Sequence, residues 1–363
     1  MKSQSEHLIL TNFLKAQDRL VYQTADLSLG SLSGMTAKKP GKDFAPIDLS
    51  PDFQRRERWS QEKQSALIES FLLNVPVPPI YLAESSAGQY SVVDGKQRIT
   101  AIHQFMINNM ALKGLESFKE IEGLRFNDLP QELQNALEIR PYVRVVTILK
   151  QSDPNLKFEV FTRLNKGGEA MLPQELRKVA YRGKLSDAIF SLSENPILRR
   201  QLKIADEKSP SYIRMEDAEY VLRFLALSEG WTSFSGALRD ELDRYMKDNQ
   251  FTDDSFVDSL REKFNRAING CNEIWGEFCF QRYAESGWRS QFLGGMYDAE
   301  MLAVNLLSDA QLENAKNKRA IILNETAKLF ANKVFEKSVR QGTNTPSFVR
   351  QRVETIHQLL TSV

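Results

Sequence analysis

The amino-acid sequence predicts an α+β protein in which a domain of alternating strands and helices precedes a helical domain. Between about residues 45 and 185, short apolar runs bounded by proline or glycine alternate with segments of helical periodicity. From about Leu185 onward, apolar residues recur almost entirely at helical spacing. The chain of 363 residues is long enough for two domains, because single cores rarely grow beyond roughly 250–300 residues.

The composition is that of an ordinary soluble protein, with 26% charged and 42% hydrophobic residues. With a net charge of +1, the protein as a whole is not attracted to nucleic acid or membranes, so any anion-binding site must come from a local cluster of charges. The two cysteines, Cys271 and Cys279, have neither a metal-ligand spacing nor the pattern of a disulfide framework. The sequence lacks the apolar core of a signal peptide and the ~18-residue apolar run of a membrane helix. We therefore expect a cytoplasmic protein with no membrane partner.

The first segment, residues 1–44, is predicted to be a helix followed by a flexible segment. The helix is expected over residues 1–25. The flexible part is the polar stretch rich in glycine, serine and lysine at about residues 28–44.

The next segment, residues 45–185, opens with a helix predicted from Ser60 to Asn74 and capped by the serine hydroxyl. Strands are predicted at Ile80–Leu82 and Gln89–Val93, and a second helix at Ile99–Asn108. The residues expected to face the core are Leu67, Ile68, Phe71 and Leu72 in the first helix and Ile99, Ile102, Phe105 and Met106 in the second.

A further strand and two helices complete this segment, and residues 186–363 form the helical domain. The strand is predicted at Tyr142–Leu149, one helix at Phe158–Leu164, and another beginning at Pro173. Helical periodicity in the last domain is clearest in four segments: Ala218–Leu227, Ala237–Met246, Phe256–Phe280 and Ala320–Phe335.

The most informative stretch is a turn in which Asp94 and Gly95 end an apolar strand and Gln97 and Arg98 lead into a helix. An acid, an amide and a guanidinium thereby lie beside a helix N-terminus, where backbone N–H groups favour anions. Glycine supplies the backbone freedom that such a turn needs. By itself, this pattern also fits an ordinary strand-to-helix turn with a solvated arginine.

Three further motifs occur in a fixed order around this turn. They are F-Q-R-R-E-R-W-S at 53–60, P-V-P-P-I at 76–80, and F-T-R-L-N-K-G-G at 161–168, which leads to Q-E-L-R at 174–177. With the turn, they resemble the GmrSD-type N-terminal domain family over roughly residues 45–185. The family pattern has a D-G-Q-Q-R turn, and in this chain Lys96 replaces its first glutamine.

The resemblance implies a fold similar to ParB and sulfiredoxin, with a small mixed sheet, and nucleotide binding and hydrolysis at the turn. It implies catalytic roles for Asp94, Gln97 and Arg98. Asp94 would hold Mg²⁺ or orient the nucleophile, Gln97 would position water, and Arg98 would bind phosphate. The phosphate-binding residues would be Arg55, Gly95, Lys96, Arg163 and Asn165.

The family occurs in modification-dependent restriction systems and related phage-defence proteins. The resemblance therefore implies a nucleoside-triphosphate-hydrolysing sensor or regulator in bacterial defence, acting on or near foreign DNA. Three alternatives stay open: a non-catalytic DNA-binding module, a DNA nickase with its site in this domain, and a partner of a separately encoded nuclease or modification enzyme. The sequence indicates no oligomeric state.

Several of these residues also have purely structural interpretations. Arg55 and Arg163 have the chemistry to pair with nearby carboxylates, and Asn165 fits the end of a helix. Trp59 fits the core better than a base-stacking platform. His103, one helical turn after the glycine turn, fits a hydrogen-bonded helix residue.

The C-terminal part has an excess of basic residues. Between Glu313 and Arg352, nine lysines and arginines stand against three glutamates. Such an excess suits either DNA or a solvated helix face, and the solvated face is the simpler interpretation. The three histidines, His7, His103 and His357, are scattered and form no local nuclease motif.

Overall fold

The computed structural model describes residues 20–38, 44–49, 59–140, 142–152, 160–161, 163–164, 172–285 and 287–363. Helices and strands are both present, so the predicted α+β class is confirmed. The chain divides into two compact units, Met1–Ala180 and Tyr181–Val363.

The first unit is organised around a five-stranded mixed sheet. Its strands are β1 (Tyr22–Ser28), β2 (Ile47–Asp48), β3 (Ile80–Ser86), β4 (Gln89–Asp94) and β5 (Tyr142–Ile148). Their spatial order is β1-β5-β3-β4-β2. The β1/β5 and β3/β4 pairs are antiparallel, whereas β3/β5 and β2/β4 are parallel. The predicted small mixed sheet is thus confirmed.

Five helices of the first unit are described: α1 (Leu29–Thr36), α2 (Gln61–Leu72), α3 (Lys96–Met106), α4 (Gln131–Ile139) and α5 (Pro173–Ala180). The helices predicted after Ser60 and after the glycine turn are confirmed, as is the one opened by Pro173. The core combines helix and sheet residues, including Leu29, Leu32, Ile68, Ile80, Leu82, Ile99, Ile102 and Phe105.

The prediction for residues 1–44 is wrong where the structure describes them, because a strand and a helix replace the expected helix end and flexible loop. The Ser28 hydroxyl accepts the Ser31 N–H at 3.2 Å and caps α1, whose Leu29 and Leu32 are fully buried. β1 pairs with β5, far along the chain, and Asp26 there accepts two hydrogen bonds from Arg144 at 2.9 and 3.0 Å. Local periodicity cannot indicate so distant a strand partner. Residues 1–19 and 39–43 lie outside the described ranges.

The second unit is built mainly from helices, as predicted. They are α6 (Lys184–Ser193), α7 (Pro196–Gln201), α8 (Pro210–Ile213), α9 (Glu216–Gly230), α10 (Leu238–Asp248), α11 (Asp254–Trp275), α12 (Gly294–Leu306), α13 (Asp309–Asn317), α14 (Arg319–Leu329), α15 (Lys333–Arg340) and α16 (Pro346–Ser362). Over the described residues, none of the helices has the combination of length and apolar character that crossing a membrane takes.

The prediction of an all-helical second domain is wrong, because an antiparallel hairpin lies between α11 and α12. Its strands are β6 (Gln281–Ala284) and β7 (Gly287–Phe292). The helix predicted through Phe280 ends at Trp275, since Gly276 adopts φ +62°. The aromatic residues beyond it pack across and beside the hairpin, an environment that favours strands.

The helix predicted over Ala320–Phe335 is two helices, α14 and α15. Asn332 separates them, because its side-chain oxygen accepts the N–H groups of Val334 and Phe335 at 2.9 and 3.3 Å. This is N-cap geometry, which starts a new helix.

A buried ion-pair cluster joins three helices of the second unit. Arg223 of α9 donates two hydrogen bonds of 2.6 Å to Asp298 of α12, and Arg352 of α16 also donates to Asp298. Arg352 donates in addition to the Ser338 carbonyl at 3.0 Å. Burial disfavours the charged form of Arg223, but the attraction of Asp298 is stronger than this effect, so the pKa of Arg223 is raised. For Arg352, burial dominates and lowers the pKa.

Candidate functional site

The candidate site lies where β4 leads into α3. Asp94 is the last residue of β4, and Gly95 caps α3 with φ +94°. The Gly95 carbonyl accepts the Ile99 N–H at 2.9 Å, which closes the first turn of the helix. No side chain of the described residues caps this helix, and backbone N–H groups at a helix N-terminus favour an anion.

A register irregularity precedes the turn. Tyr81 of β3 pairs with Asp94, but the next residue, Leu82, pairs with Val92, so Val93 is an extra residue on β4. Extra residues of this kind bend a strand and redirect the side chains that follow. The bulge therefore sets the direction in which Asp94 leaves the sheet.

The turn brings the predicted acid and guanidinium together. Arg98 Nη2 donates to Asp94 Oδ2 at 2.8 Å and to the Pro79 carbonyl at 3.0 Å. The Arg98 side chain is 15% exposed and that of Asp94 is 34% exposed. Arg98 Nε is buried and has no hydrogen-bond partner among the described residues. One edge of the guanidinium is thus fixed, while its Nε donor has no acceptor within the described ranges.

Gly95 lies directly beneath this guanidinium. A Cβ atom at position 95 would lie 2.9 Å from Ile80 Cγ1 and 3.0 Å from Arg98 Nη2. The approach to Ile80 is closer than real Cβ atoms show, the approach to Arg98 is tighter than most real contacts, and the positive φ is itself unfavourable for other residues. Glycine is therefore required here both for backbone conformation and for contact with Arg98.

We expect Gly95→Ala to destabilise the first unit by about 1–3 kcal/mol more than Gly88→Ala does. Gly88 is the matched control, because it has φ +78° but open space around its Cβ position. The comparison isolates the clash with Ile80 and Arg98 from the backbone cost. Urea unfolding of both variants measures the difference, and equal destabilisation would show that the close approach is unimportant.

Helix α5 carries an unusual set of buried polar residues beside β4. Gln174 and Arg177 are each 1% exposed, and Glu175 and Lys178 are also buried. Arg177 Nη1 donates to Gln174 Oε1 at 3.2 Å, and Glu175 Oε2 accepts the Leu172 N–H at 2.7 Å. Because α5 contacts the strand that ends in Asp94, this polar helix is a neighbour of the strand that carries the candidate site.

Sequence reasoning did not include these α5 residues among the site residues, although Q-E-L-R belonged to the pattern that carried the resemblance. The available signal was the position of this motif shortly after the glycine-rich segment. Burial of polar groups costs free energy unless they are bonded, so such a helix is maintained by specific partners. Glu175, Arg177 and Lys178 all have further interactions of this kind.

The other predicted site residues are distributed as follows. Lys96 and Gln97 are half-buried in the first turn of α3, and Lys96 makes a polar or electrostatic interaction there. Arg163 is exposed on a helical segment and also has an interaction partner. Arg55 and Asn165 lie outside the described residues. The catalytic and phosphate-binding roles of all these residues stay predictions.

His103 has the structural role that the sequence indicated. Its Nδ1 atom lies 2.7 Å from Thr36 Oγ1 and 3.0 Å from Ser33 Oγ, which joins α3 to α1. Burial lowers the pKa of His103, so the ring is less readily protonated than an exposed histidine. Trp59 likewise packs against the core, as predicted.

The described residues contain no group of three or more His, Cys, Asp or Glu side chains that would form a metal cage. Asp94 Oδ2 accepts from Arg98, whereas Oδ1 has no hydrogen-bond partner within the described ranges. Mg²⁺ is commonly bound by one or two carboxylates together with substrate phosphates. A single, partly exposed carboxylate beside an anion-favouring turn fits that mode of binding.

The mixed sheet and the Asp94–Arg98 turn define an α+β domain that presents a charged strand-to-helix turn. Residues 37–182 match the protein family described as GmrSD restriction endonuclease, N-terminal domain. This match confirms the resemblance to the GmrSD-type N-terminal domain family that was drawn from the motifs. No match was found among curated proteins or solved structures, so the likeness to ParB and sulfiredoxin stays a prediction.

Proposed function

We propose that the Asp94–Arg98 turn binds a nucleoside triphosphate and hydrolyses it with Mg²⁺, and that the protein serves a restriction-type defence system as a sensor or regulator. The observation that supports this most is the Asp94–Arg98 ion pair, which lies against Gly95 at a helix N-terminus that no described side chain caps. The defence role rests on the family to which residues 37–182 are matched.

Arg98 binds the phosphates in this proposal. Its Nη2 group is held by Asp94 and by the Pro79 carbonyl, which fixes the plane of the guanidinium. The buried Nε donor then meets a phosphate oxygen together with the N–H groups of the α3 first turn. Donors that are fixed before the ligand arrives stabilise developing negative charge without reorganisation.

Asp94 and Gln97 serve the attacking water in this proposal. Asp94 would hold Mg²⁺ through the carboxylate oxygen that does not accept from Arg98, and Mg²⁺ when bound would supply positive charge beside the terminal phosphates. Gln97, half-buried one position before Arg98, directs its side-chain amide toward the water. Lys96, which replaces the family glutamine, adds a positive charge to the same turn and affects nucleotide preference or rate.

The test is release of inorganic phosphate from ATP, GTP, CTP and UTP with Mg²⁺. We expect hydrolysis of at least one of them by the wild type and a loss of about 100-fold or more in Asp94→Ala. Asp26→Ala is the matched control, because Asp26 also pairs with an arginine on the same sheet but far from the turn in the strand order. It should retain near-normal activity.

No phosphate release from any nucleotide would refute hydrolysis, and direct titration with each nucleotide would then show whether binding survives. An equal loss in Asp26→Ala would mean that the effect reflects stability of the sheet. Only a selective loss in Asp94→Ala supports the proposed site.

A further inference from the structure

A basic surface in the second unit is formed by helix α15 and the hairpin. We call this surface the basic face, and it consists of Arg282, Arg289, Lys333, Lys337 and Arg340. Lys333, Lys337 and Arg340 are exposed at spacings of four and three residues, which places them on one side of α15. The opposite side of that helix is buried in the core through Phe335 and Val339.

The Glu336 carboxylate links the hairpin to α15 through hydrogen bonds. Glu336 Oε1 accepts from Arg340 Nη1 at 2.7 Å and from Arg282 Nη2 at 2.6 Å. Arg340 and Arg282 together lower the pKa of Glu336 despite its partial burial, so it stays ionised. Glu336 thus pairs with two of the five cations of the basic face, and the other three, Arg289, Lys333 and Lys337, are exposed.

The hairpin itself places two arginines opposite each other. Arg282 of β6 pairs in register with Arg289 of β7, and directly paired residues project from the same side of a sheet. Like charges in that position are destabilising. Glu336 bonds Arg282, and Arg289 is exposed without an ion pair among the described residues. An anionic partner would relieve this repulsion.

Several other basic residues of this part of the chain have carboxylate partners within the same unit. Lys316 bonds to Glu273 and Glu313, Lys328 bonds to Glu325, and Arg352 is fully buried on Asp298. Lys333 and Lys337 of the basic face, by contrast, are exposed and have no ion pair among the described residues.

We propose that the basic face binds the phosphate backbone of duplex nucleic acid. Lys333 and Arg340 are seven residues apart, so the helical row is about 10 Å long and reaches several phosphates of a duplex. The hairpin aromatics are already packed together, since Trp288 stacks on Phe278 at 5.4 Å. They are therefore not a platform for unpaired bases, and this favours a duplex over a single strand.

The experiment is fluorescence anisotropy of the full chain with a labelled DNA duplex of about 30 base pairs at several salt concentrations. We expect Lys333→Glu with Lys337→Glu to weaken binding at least about 10-fold at 0.1 M salt. We also expect the slope of log affinity against log salt to become shallower by about two. Arg289→Gln should weaken binding less and reduce the slope by about one.

The matched control is Lys208→Glu with Lys247→Glu, which changes the net charge equally at exposed lysines of the same unit outside the basic face. It should bind like the wild type. Absence of duplex binding by the wild type, or equal weakening in the control, would overturn the proposal. Binding to poly-glutamate but not to DNA would overturn it too and would indicate an acidic protein partner. Lys333→Glu with Lys337→Glu should leave nucleotide hydrolysis unchanged, so failure of this test and failure of the proposed function are distinguishable.

Discussion

Replacing Asp298 by alanine should destabilise the second unit by about 3–5 kcal/mol, the range for breaking a buried ion pair on one side. Asp298 is the shared acceptor of Arg223 and Arg352, and all three side chains are almost fully buried. Its removal leaves two guanidinium groups inside the protein without a counter-charge. Because these residues lie on α9, α12 and α16, the loss also releases the C-terminal helix.

Urea unfolding followed by tryptophan fluorescence measures this effect, since three of the four tryptophans, Trp231, Trp275 and Trp288, belong to the second unit. Asp309→Ala is the control, because Asp309 also accepts from an arginine, Arg266, but its side chain is 94% exposed. It should cost no more than about 1 kcal/mol. A similar loss of unfolding free energy in both variants would show that the buried ion pairs of Asp298 contribute no more than an exposed pair.

The second large effect is expected for Arg98→Lys, which keeps the positive charge but loses the planar fork of donors. We expect nucleotide hydrolysis to fall by about 100-fold or more, while the first unit stays folded. A lysine has a single nitrogen, and it cannot bond Asp94 and the Pro79 carbonyl while also presenting a buried donor to phosphate. Phosphate release and nucleotide titration measure the loss, and circular dichroism monitors folding.

Arg144→Lys is the corresponding control, because Arg144 also forms a forked pair with an aspartate on the same sheet. It should leave hydrolysis near the wild-type rate. If Arg98→Lys were fully active, the guanidinium geometry would have no role at the turn, and a simple cation would suffice. If both variants lost activity equally, the cause would be the sheet and not the turn.

The sequence alone determined the class of fold, several elements and the turn itself. Ser60, the prolines after α2 and Gly95 are local signals, because capping, chain reversal and positive φ depend on a few neighbouring residues. The apolar faces of α2 and α3 follow from helical periodicity in the same way. The order of the motifs was sufficient to identify the family, which the match over residues 37–182 confirms.

Tertiary structure decided which distant groups meet. The contact of Gly95 with Ile80, the bond from Arg98 to Pro79, and the pairing of β1 with β5 join parts of the chain that no local pattern connects. Tertiary structure also decides which charged residues are buried in ion pairs and which are exposed. The basic residues near the C-terminus look alike in sequence, but Arg352 is buried on Asp298 while Lys333 is exposed. Burial and ion pairing depend on the packing of whole helices, so only the folded chain separates structural charges from available ones.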